Sequence, residues 1–363
     1  MNAAFFTIGS REPSARFRIM PYLPLLERAG WHCTVWHATP SYGSRLYIAK
    51  FKGGRYLNAR MIDLVGMSVM LPRILTAGKF DVVFLQRRLP NIVWIPWPER
   101  VLRRTGRRLV YDFDDAIYMG WNSAAGFHSD MKRESAFREI VQFSNQVIAG
   151  NQHLASMAGV PSKTTVIPTA IDTDKFSPQG KVELDKQRGL TIGWTGTSSN
   201  YPFLYPLVPA LRQVAARFPG TALKIISDTA PDQDMLTGLQ VKFIRWKAQY
   251  EVEQLQDIDV GIMYLPDNRW TRGKCGFKLI QYMALAKPVV ASPVGANLDI
   301  VKHGVNGYLA SNMDEWVHCL GNLLSEAFLR EQMGSQARQT IEAEFSVRAC
   351  FPKLLAVFRR ALA

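Results

Sequence analysis

The chain has 363 residues, 47% hydrophobic and 20% charged, which suits a globular protein of two domains with ample core. Four scattered cysteines (Cys33, Cys275, Cys319, Cys350) form no CxxC pair, and no uninterrupted apolar run reaches about 18 residues. A zinc site, a disulfide framework and a membrane span are therefore not expected, and with no signal-peptide pattern the expected location is cytoplasmic, in a reducing compartment. The net charge is +14, and residues 1–165 hold 22 Lys+Arg against 11 Asp+Glu, leaving only +3 for the rest. A basic first half points to an anionic partner or to a basic solvated face.

Short apolar runs alternate with helix-period stretches, the pattern of βα repeats and a parallel sheet. Ala3–Ile8 is predicted as the first strand and Ser14–Ala29 as a helix stopped by Gly30. Strands at Cys33–His37, Val82–Gln86, Leu109–Phe113, Gln146–Ala149 and Thr165–Ile167 complete a first domain, residues 1–172. The polar stretch 173–189 is read as the connection. A second series covers residues 190–345: strands at Leu190–Trp194, Ala222–Ile226, Val241–Arg245, Val260–Tyr264 and Pro288–Ser292, a helix over Tyr201–Phe218, and two helices over Glu315–Phe345. Residues 346–363 read as a basic terminal helix.

In such sheets, loops at the carboxyl ends of strands bind ligands. The segment Leu190–Tyr201, LTIGWTGTSSNY, runs from a buried strand into a Gly/Ser/Thr loop. Its Gly196 amide and the hydroxyls of Thr197 and Ser198 suit a diphosphate, although the same residues would serve as a plain helix cap. Trp270–Ala310 is denser still, with a cationic loop (Arg272, Lys274, Gly276), a helix opening at Phe277 and Lys278, a short strand and the Gly295 loop. A lysine one turn into a helix opposes the dipole, which favours a nearby anion at Lys278. Gln281 lies three residues on, along the same face.

The first domain offers Arg16 and Arg18 at its first helix and Arg87 after a strand, a set able to hold phosphate or an acidic acceptor. Asp112, Asp114 and Asp115 appear together at a strand end. Asp112-x-Asp114 imitates a DxD metal motif, and loop carboxylates paired with arginine give the same pattern. His128 and His153 lie in or near loops, without metal-ligand spacing. Ile92–Arg108 combines Trp94, Trp97 and five arginines, which suits a membrane interface or an amphipathic helix with its apolar side in the core. No helix-turn-helix, RNA-binding aromatic signature or zinc finger is present, so nucleic acid is not an expected partner.

Gly276-Phe277, Tyr282-Met283-Ala284, Pro288-Val289-Val290-Ala291, Gly295 and Asn306-Gly307 together resemble the donor-binding motif of retaining nucleotide-sugar glycosyltransferases of family 4. The two glutamates of that motif are replaced by Gly273 and Gln281. The resemblance implies an α/β GT-B fold, with two Rossmann-like parallel-sheet domains facing each other across a cleft and a terminal helix crossing back to the first domain. It implies transfer of a sugar from a UDP- or GDP-sugar to a saccharide or lipid-linked acceptor, with retention and without a metal or other required cofactor, in cell-surface polysaccharide or glycoconjugate synthesis. Gly196, Thr197, Ser198, Arg272, Lys274, Gly276, Phe277, Lys278, Gln281 and Gly295 would hold the donor. Arg16, Arg18 and Arg87 would face the acceptor, with Asp114, Asp115 and Lys278 nearest the chemistry. Peripheral contact with the inner face of the cytoplasmic membrane, through the basic first domain, is a further expectation. The alternatives are a non-catalytic binding or scaffold protein of the same fold, and a metal-dependent transferase using Asp112 and Asp114.

Overall fold

The computed structural model describes residues 1–10, 12–38, 55–89, 96–105, 108–119, 127–178 and 189–363. Trp94 and most of the connection 173–189 lie outside them, and the side chain of His128 is not described. The chain divides into two units, Met1–Thr169 with Cys350–Ala363, and Ala170–Ala349.

The first unit is built on six strands: β1 (Asn2–Thr7), β2 (His32–His37), β3 (Val82–Gln86), β4 (Leu109–Phe113), β5 (Gln146–Ala149) and β6 (Thr164–Val166). All pair in parallel in the order β2-β1-β3-β4-β5-β6. Its helices are α1 (Pro13–Arg18), α2 (Leu23–Arg28), α3 (Arg55–Leu75), α4 (Trp97–Thr105), α5 (Phe127–Phe143) and α6 (Gln152–Ala158). The expected helix over Ser14–Ala29 is in fact α1, a 3-10 turn at Met20–Tyr22, and α2. Pro21 and Pro24 lack the N–H groups that a continuous helix would use. α3 was not legible in the sequence pattern.

The second unit carries β7 (Thr191–Thr195), β8 (Ala222–Ser227), β9 (Gln240–Arg245), β10 (Val260–Met263), β11 (Val289–Ala291) and β12 (Gly307–Leu309). They too are parallel, in the order β12-β11-β10-β7-β8-β9. Its helices are α7 (Val208–Arg217), α8 (Glu253–Gln256), α9 (Phe277–Ala284), α10 (Asn297–Ile300), α11 (Met313–Ser325) and α12 (Ala327–Thr340), followed by α13 (Val347–Leu362). Prolines again shorten a helix: Tyr201–Phe218 opens as two 3-10 turns around Pro202 and Pro206 before α7 begins. α11 starts on a reciprocal cap, with the Glu315 amide donating to Asn312 Oδ1 at 2.9 Å and the Ser311 amide to Glu315 Oε2 at 2.7 Å.

Continuous burial along β1, β3, β4, β7, β8 and β10 explains their uninterrupted apolar runs, since helices cover both faces of a parallel sheet. In the first unit the core includes Phe358 of α13, whose ring lies 6.0 Å from that of Phe5 and 5.1 Å from that of Trp31. In the second, Trp194, Trp316, Leu320 and Val260 belong to one buried cluster. The connecting segment after β6 is docked on the second unit. Arg338 of α12 donates to the carbonyls of Thr173 (2.8 Å), Phe176 and Ala284 (2.5 Å).

Each sheet reverses its order once, between β1 and β3 in the first unit and between β7 and β10 in the second. The carboxyl ends of those strands form the crevice where open α/β sheets take ligands. Both sets of candidate residues lie at such ends.

Candidate functional site

In the second unit, β7 delivers Trp194 and Gly196, and the loop after β10 leads through Arg272, Lys274 and Gly276 into α9. Two contacts fix α9 against the sheet. The Tyr282 hydroxyl accepts the Thr195 amide at 2.7 Å, and the Tyr282 ring fills the space that a side chain at Gly261 would need. Gly276 precedes α9 at φ 63°, where a Cβ would also come 2.4 Å from Ile300 Cδ1, so glycine is required there on both counts. Gly295 packs its backbone on Arg272, with room for no Cβ (2.6 Å from the Arg272 carbonyl oxygen).

This scaffold places Lys278, on the first turn of α9, with its ammonium 3.9 Å from the centroid of the Trp194 ring. A Cβ on Gly196 would come 2.6 Å from that ammonium. Lys278 makes no ion pair and no hydrogen bond among the described residues. Burial, and then the charge of Lys274, push its pKa well below the ordinary lysine value. Lys274 Nζ lies 3.4 Å from Asn200 Oδ1 and 5.3 Å from the centroid of the Phe203 ring. Phe277 is half-buried beside them. The loop before α9 and its first turn thus set two lysines beside the Trp194 and Phe203 rings.

Several expectations for this region need correction. The Gly196 amide and the Thr197 and Ser198 hydroxyls expected to cradle a diphosphate already have partners in the protein. Gly196 N–H donates to the Ile226 carbonyl at 3.1 Å, and Ser198 donates its amide (2.6 Å) and hydroxyl (3.1 Å) to the Asp228 carboxylate. Although burial works the other way, those bonds hold Asp228 below the usual carboxylate range. The Thr197 hydroxyl is engaged with Ser199 Oγ and Asn200 Nδ2, both at 2.8 Å. Arg272 forms a two-bond pair with Asp267, at 2.6 and 2.8 Å, on the exposed turn that they share, so its charge is neutralised locally. Gln281 is buried, and one N–H of its side-chain amide donates to Glu251 Oε1 at 3.2 Å, so it cannot offer its full donor set to a ligand. Gly273 closes a 3-10 turn without contributing a side chain. Trp194, Asp228 and Glu251 were not singled out by sequence. The signals available for them were an aromatic two residues before the loop glycine, a carboxylate directly after β8 and one two residues before α8.

The first unit brings Arg16, Arg18, Arg87, Asp112, Asp114 and Asp115 to the ends of β3 and β4 and to α1. Here cations and carboxylates pair. Asp114 accepts from Arg87 Nε at 2.8 Å and from Ser14 Oγ at 2.7 Å; against burial, Arg87, Arg18 and these hydrogen bonds hold its carboxyl below the ordinary value. Arg87 takes a left-handed backbone, φ 58°, which is uncommon outside glycine, with its amide on the Asp112 carbonyl at 2.7 Å. Its side chain also reaches Asp115 at 4.0 Å. Arg16 is half-buried, its guanidinium 4.9 Å from the Phe17 ring centroid.

Arg18 is a correction. Instead of facing an acceptor, it is 5% exposed and grips Asp112 through Nε at 3.0 and 3.1 Å, while Nη1 donates to the Ile167 carbonyl (3.0 Å) and Thr169 Oγ1 (3.3 Å). A helix only six residues long sends Arg18 inward because its neighbours Ala15 and Phe17 also face the core. The DxD reading loses ground for the same reason, since Asp112 and Asp114 each have an arginine partner. No group of three metal-ligating side chains converges among the described residues. Nearby, His153 Nε2 lies 3.4 Å from the Tyr118 hydroxyl. On α4, Trp97 is exposed while Glu99 is fully buried and accepts the Leu89 amide at 2.9 Å. Two of the arginines there have protein partners: Arg100 pairs with Glu139, and Arg103 donates to the Phe143 carbonyl at 2.9 Å. No helix among the described residues is long and apolar enough to cross a membrane.

Comparison with known proteins places this geometry. Residues 189–326 match the family model described as glycosyl transferases group 1. Spore coat protein SA of Bacillus subtilis is 28% identical over 81 residues, and the match spans 22% of each chain, about a fifth of that relative's length. Among solved structures, Anabaena HepE in complex with UDP and glucose is similar at 17% identity and a TM-score of 0.66, with 98% of this chain and 99% of that one covered. Sucrose-phosphate synthase of Thermosynechococcus elongatus is similar at 14% identity and a TM-score of 0.73, with 99% of both chains covered. The family match thus falls within the second unit, and the two six-stranded parallel sheets have the GT-B fold of these solved structures.

Proposed function

We propose that this chain is a glycosyltransferase that moves a sugar from a nucleotide-diphosphate sugar to a saccharide or lipid-linked acceptor. The observation that carries this reading is the Lys278 ammonium, without a carboxylate partner among the described residues, inside the group 1 domain at the reversal point of its sheet. The donor's diphosphate supplies the counter-charge to Lys278, with Lys274 beside it and Gly276 and Gly295 shaping the loops. Gln281, steadied by Glu251, offers its carbonyl oxygen to a ribose hydroxyl. UDP is the first donor base to try, because the Anabaena protein was solved with UDP, with UDP and glucose, and with UDP-glucose.

In this reading catalysis is positioning together with electrostatic stabilisation of the leaving diphosphate by Lys278 and Lys274. Transfer proceeds with retention and without a metal: the donor's own phosphate assists the acceptor hydroxyl on the face it leaves. The acceptor sits at the ends of β3 and β4, where Asp115 and Arg87 keep partly exposed side chains beside Asp114 and Arg16. Contact of the basic first unit with a membrane surface would bring a lipid-linked acceptor within reach, in cell-surface glycoconjugate synthesis on the cytoplasmic side.

Two observations favour a second reading, a binding or scaffold protein that performs no transfer. Gly273 provides no side chain, and the Gln281 amide is held by Glu251. A panel of UDP- and GDP-sugars, screened by thermal shift and then by turnover with and without chelator, separates the readings. A specific nucleotide sugar raises the unfolding temperature by mass action and is consumed in the presence of chelator if the proposal holds. Stabilisation without hydrolysis or transfer supports the scaffold, and a panel with no ligand contradicts both.

A further inference from the structure

Trp194 has a role that neither its burial nor the family match assigns. Its ring is 1% exposed and stacks on Tyr201 at 5.3 Å and 25°, and Tyr201 stacks on Tyr205 at 5.7 Å and 20°. Hydrogen bonds pin the column at both tyrosines. Tyr201 donates its hydroxyl to the Thr229 carbonyl, and the Tyr205 hydroxyl accepts the Asp232 amide at 3.0 Å. Lys278 rests over the Trp194 ring, 3.9 Å from its centroid, with Gly196 leaving the space for it.

We infer that Trp194 is a positioning residue for the anion site: the three-ring column holds the Lys278 amino group at the mouth of the β7 loop, and its π face favours the ammonium form that an arriving phosphate binds. The inference rests on the donor reading of the second unit. The charged groups that bear on Lys278 are few. α9 supplies the ammonium itself and the loop before α9 supplies Lys274; β7 and the loop after it contribute an uncharged ring and the Gly196 backbone. Desolvation and Lys274 both favour the neutral amine in the free protein, whereas the π face of Trp194 favours the ammonium. An anion that binds the ammonium raises the lysine's pKa. UDP binding should therefore take up a proton and weaken as pH rises through the free-state value, which lies below that of an ordinary lysine.

The test is a UDP titration by calorimetry over pH 6 to 10, for the full chain and for K278M, W194L and W194F. Wild type should bind more weakly as pH rises, whereas K278M should show only the pH response of UDP itself. W194L keeps the site apolar but removes the π face, so its pH midpoint should move down by roughly one unit, the equivalent of a desolvated cation–π contact. W194F retains a weaker π face and should move in the same direction by less, which keeps the test open if W194L does not fold. An unchanged midpoint in W194F and W194L, or K278M binding with the wild-type pH profile, overturns the inference. If wild type binds no UDP, the donor reading fails instead. The role of Trp194 is then decided in the free protein by NMR titration of ε-13C lysine: the same downward shift of Lys278 in the Trp194 variants supports it, and no shift refutes it.

Discussion

The two units end their sheets in the same way and use their cations in opposite ways. At the reversal point of the first sheet, Arg18 is bound to Asp112 and Arg87 to Asp114, with Asp115 near by. At the corresponding place in the second, Lys278 rests on the Trp194 ring and makes no ion pair among the described residues. Buried charge normally finds a partner inside the protein, because desolvation without one is costly. Where partners are present, the charges shape the fold. In the proposed donor site, where the ammonium rests on an aromatic face, the counter-charge comes from the ligand.

That contrast can be broken from either side. The largest effect should come from R18A, which leaves Asp112 buried without its guanidinium. Unfolding by denaturant should show a loss of about 3–5 kcal/mol, with UDP affinity of the remaining folded protein unchanged. K278M should reverse the pattern. Turnover of a nucleotide sugar falls by roughly 100- to 1,000-fold in kcat/KM, as for the loss of one preorganised charge-stabilising group, while the unfolding temperature is maintained or raised. G196A puts a Cβ 2.6 Å from the Lys278 ammonium, the mobile end of its side chain, so the fold should adapt while the ammonium shifts. UDP affinity measured by calorimetry should fall about tenfold, the scale of one charge-assisted hydrogen bond. R272A should matter least. Its exposed pair with Asp267 contributes under about 1 kcal/mol, and UDP affinity should change less than in G196A. If R272A instead matched K278M, the local pairing of Arg272 would not describe its role.

The sequence reveals every strand but β12, because strands buried on two faces read as unbroken apolar runs, as in VVFLQ of β3 and VGIM of β10, whereas the three-residue GYL of β12 is too short to show a pattern. It reveals Lys278 and Gly276 because their spacing around one helix start is local. What it hides is pairing across distance. Arg18 and Asp112 are 94 residues apart, and only the β1-β3-β4 order of the sheet brings them together. Ser198 and Asp228 meet because β8 lies beside β7, and that contact removes the amide that loop composition alone would offer to a phosphate. The prolines that split the helices at Pro21 and Pro202 are visible in the sequence, but apolar periodicity runs straight across them.

A crystal structure of the full chain with UDP would test the central claim most directly. A donor site centred on Lys278 predicts a phosphate oxygen within about 3 Å of Lys278 Nζ, with Arg18 still on Asp112. Phosphates seated on Arg87 or Arg16 in the first unit, with Lys278 still resting on Trp194 alone, would contradict it.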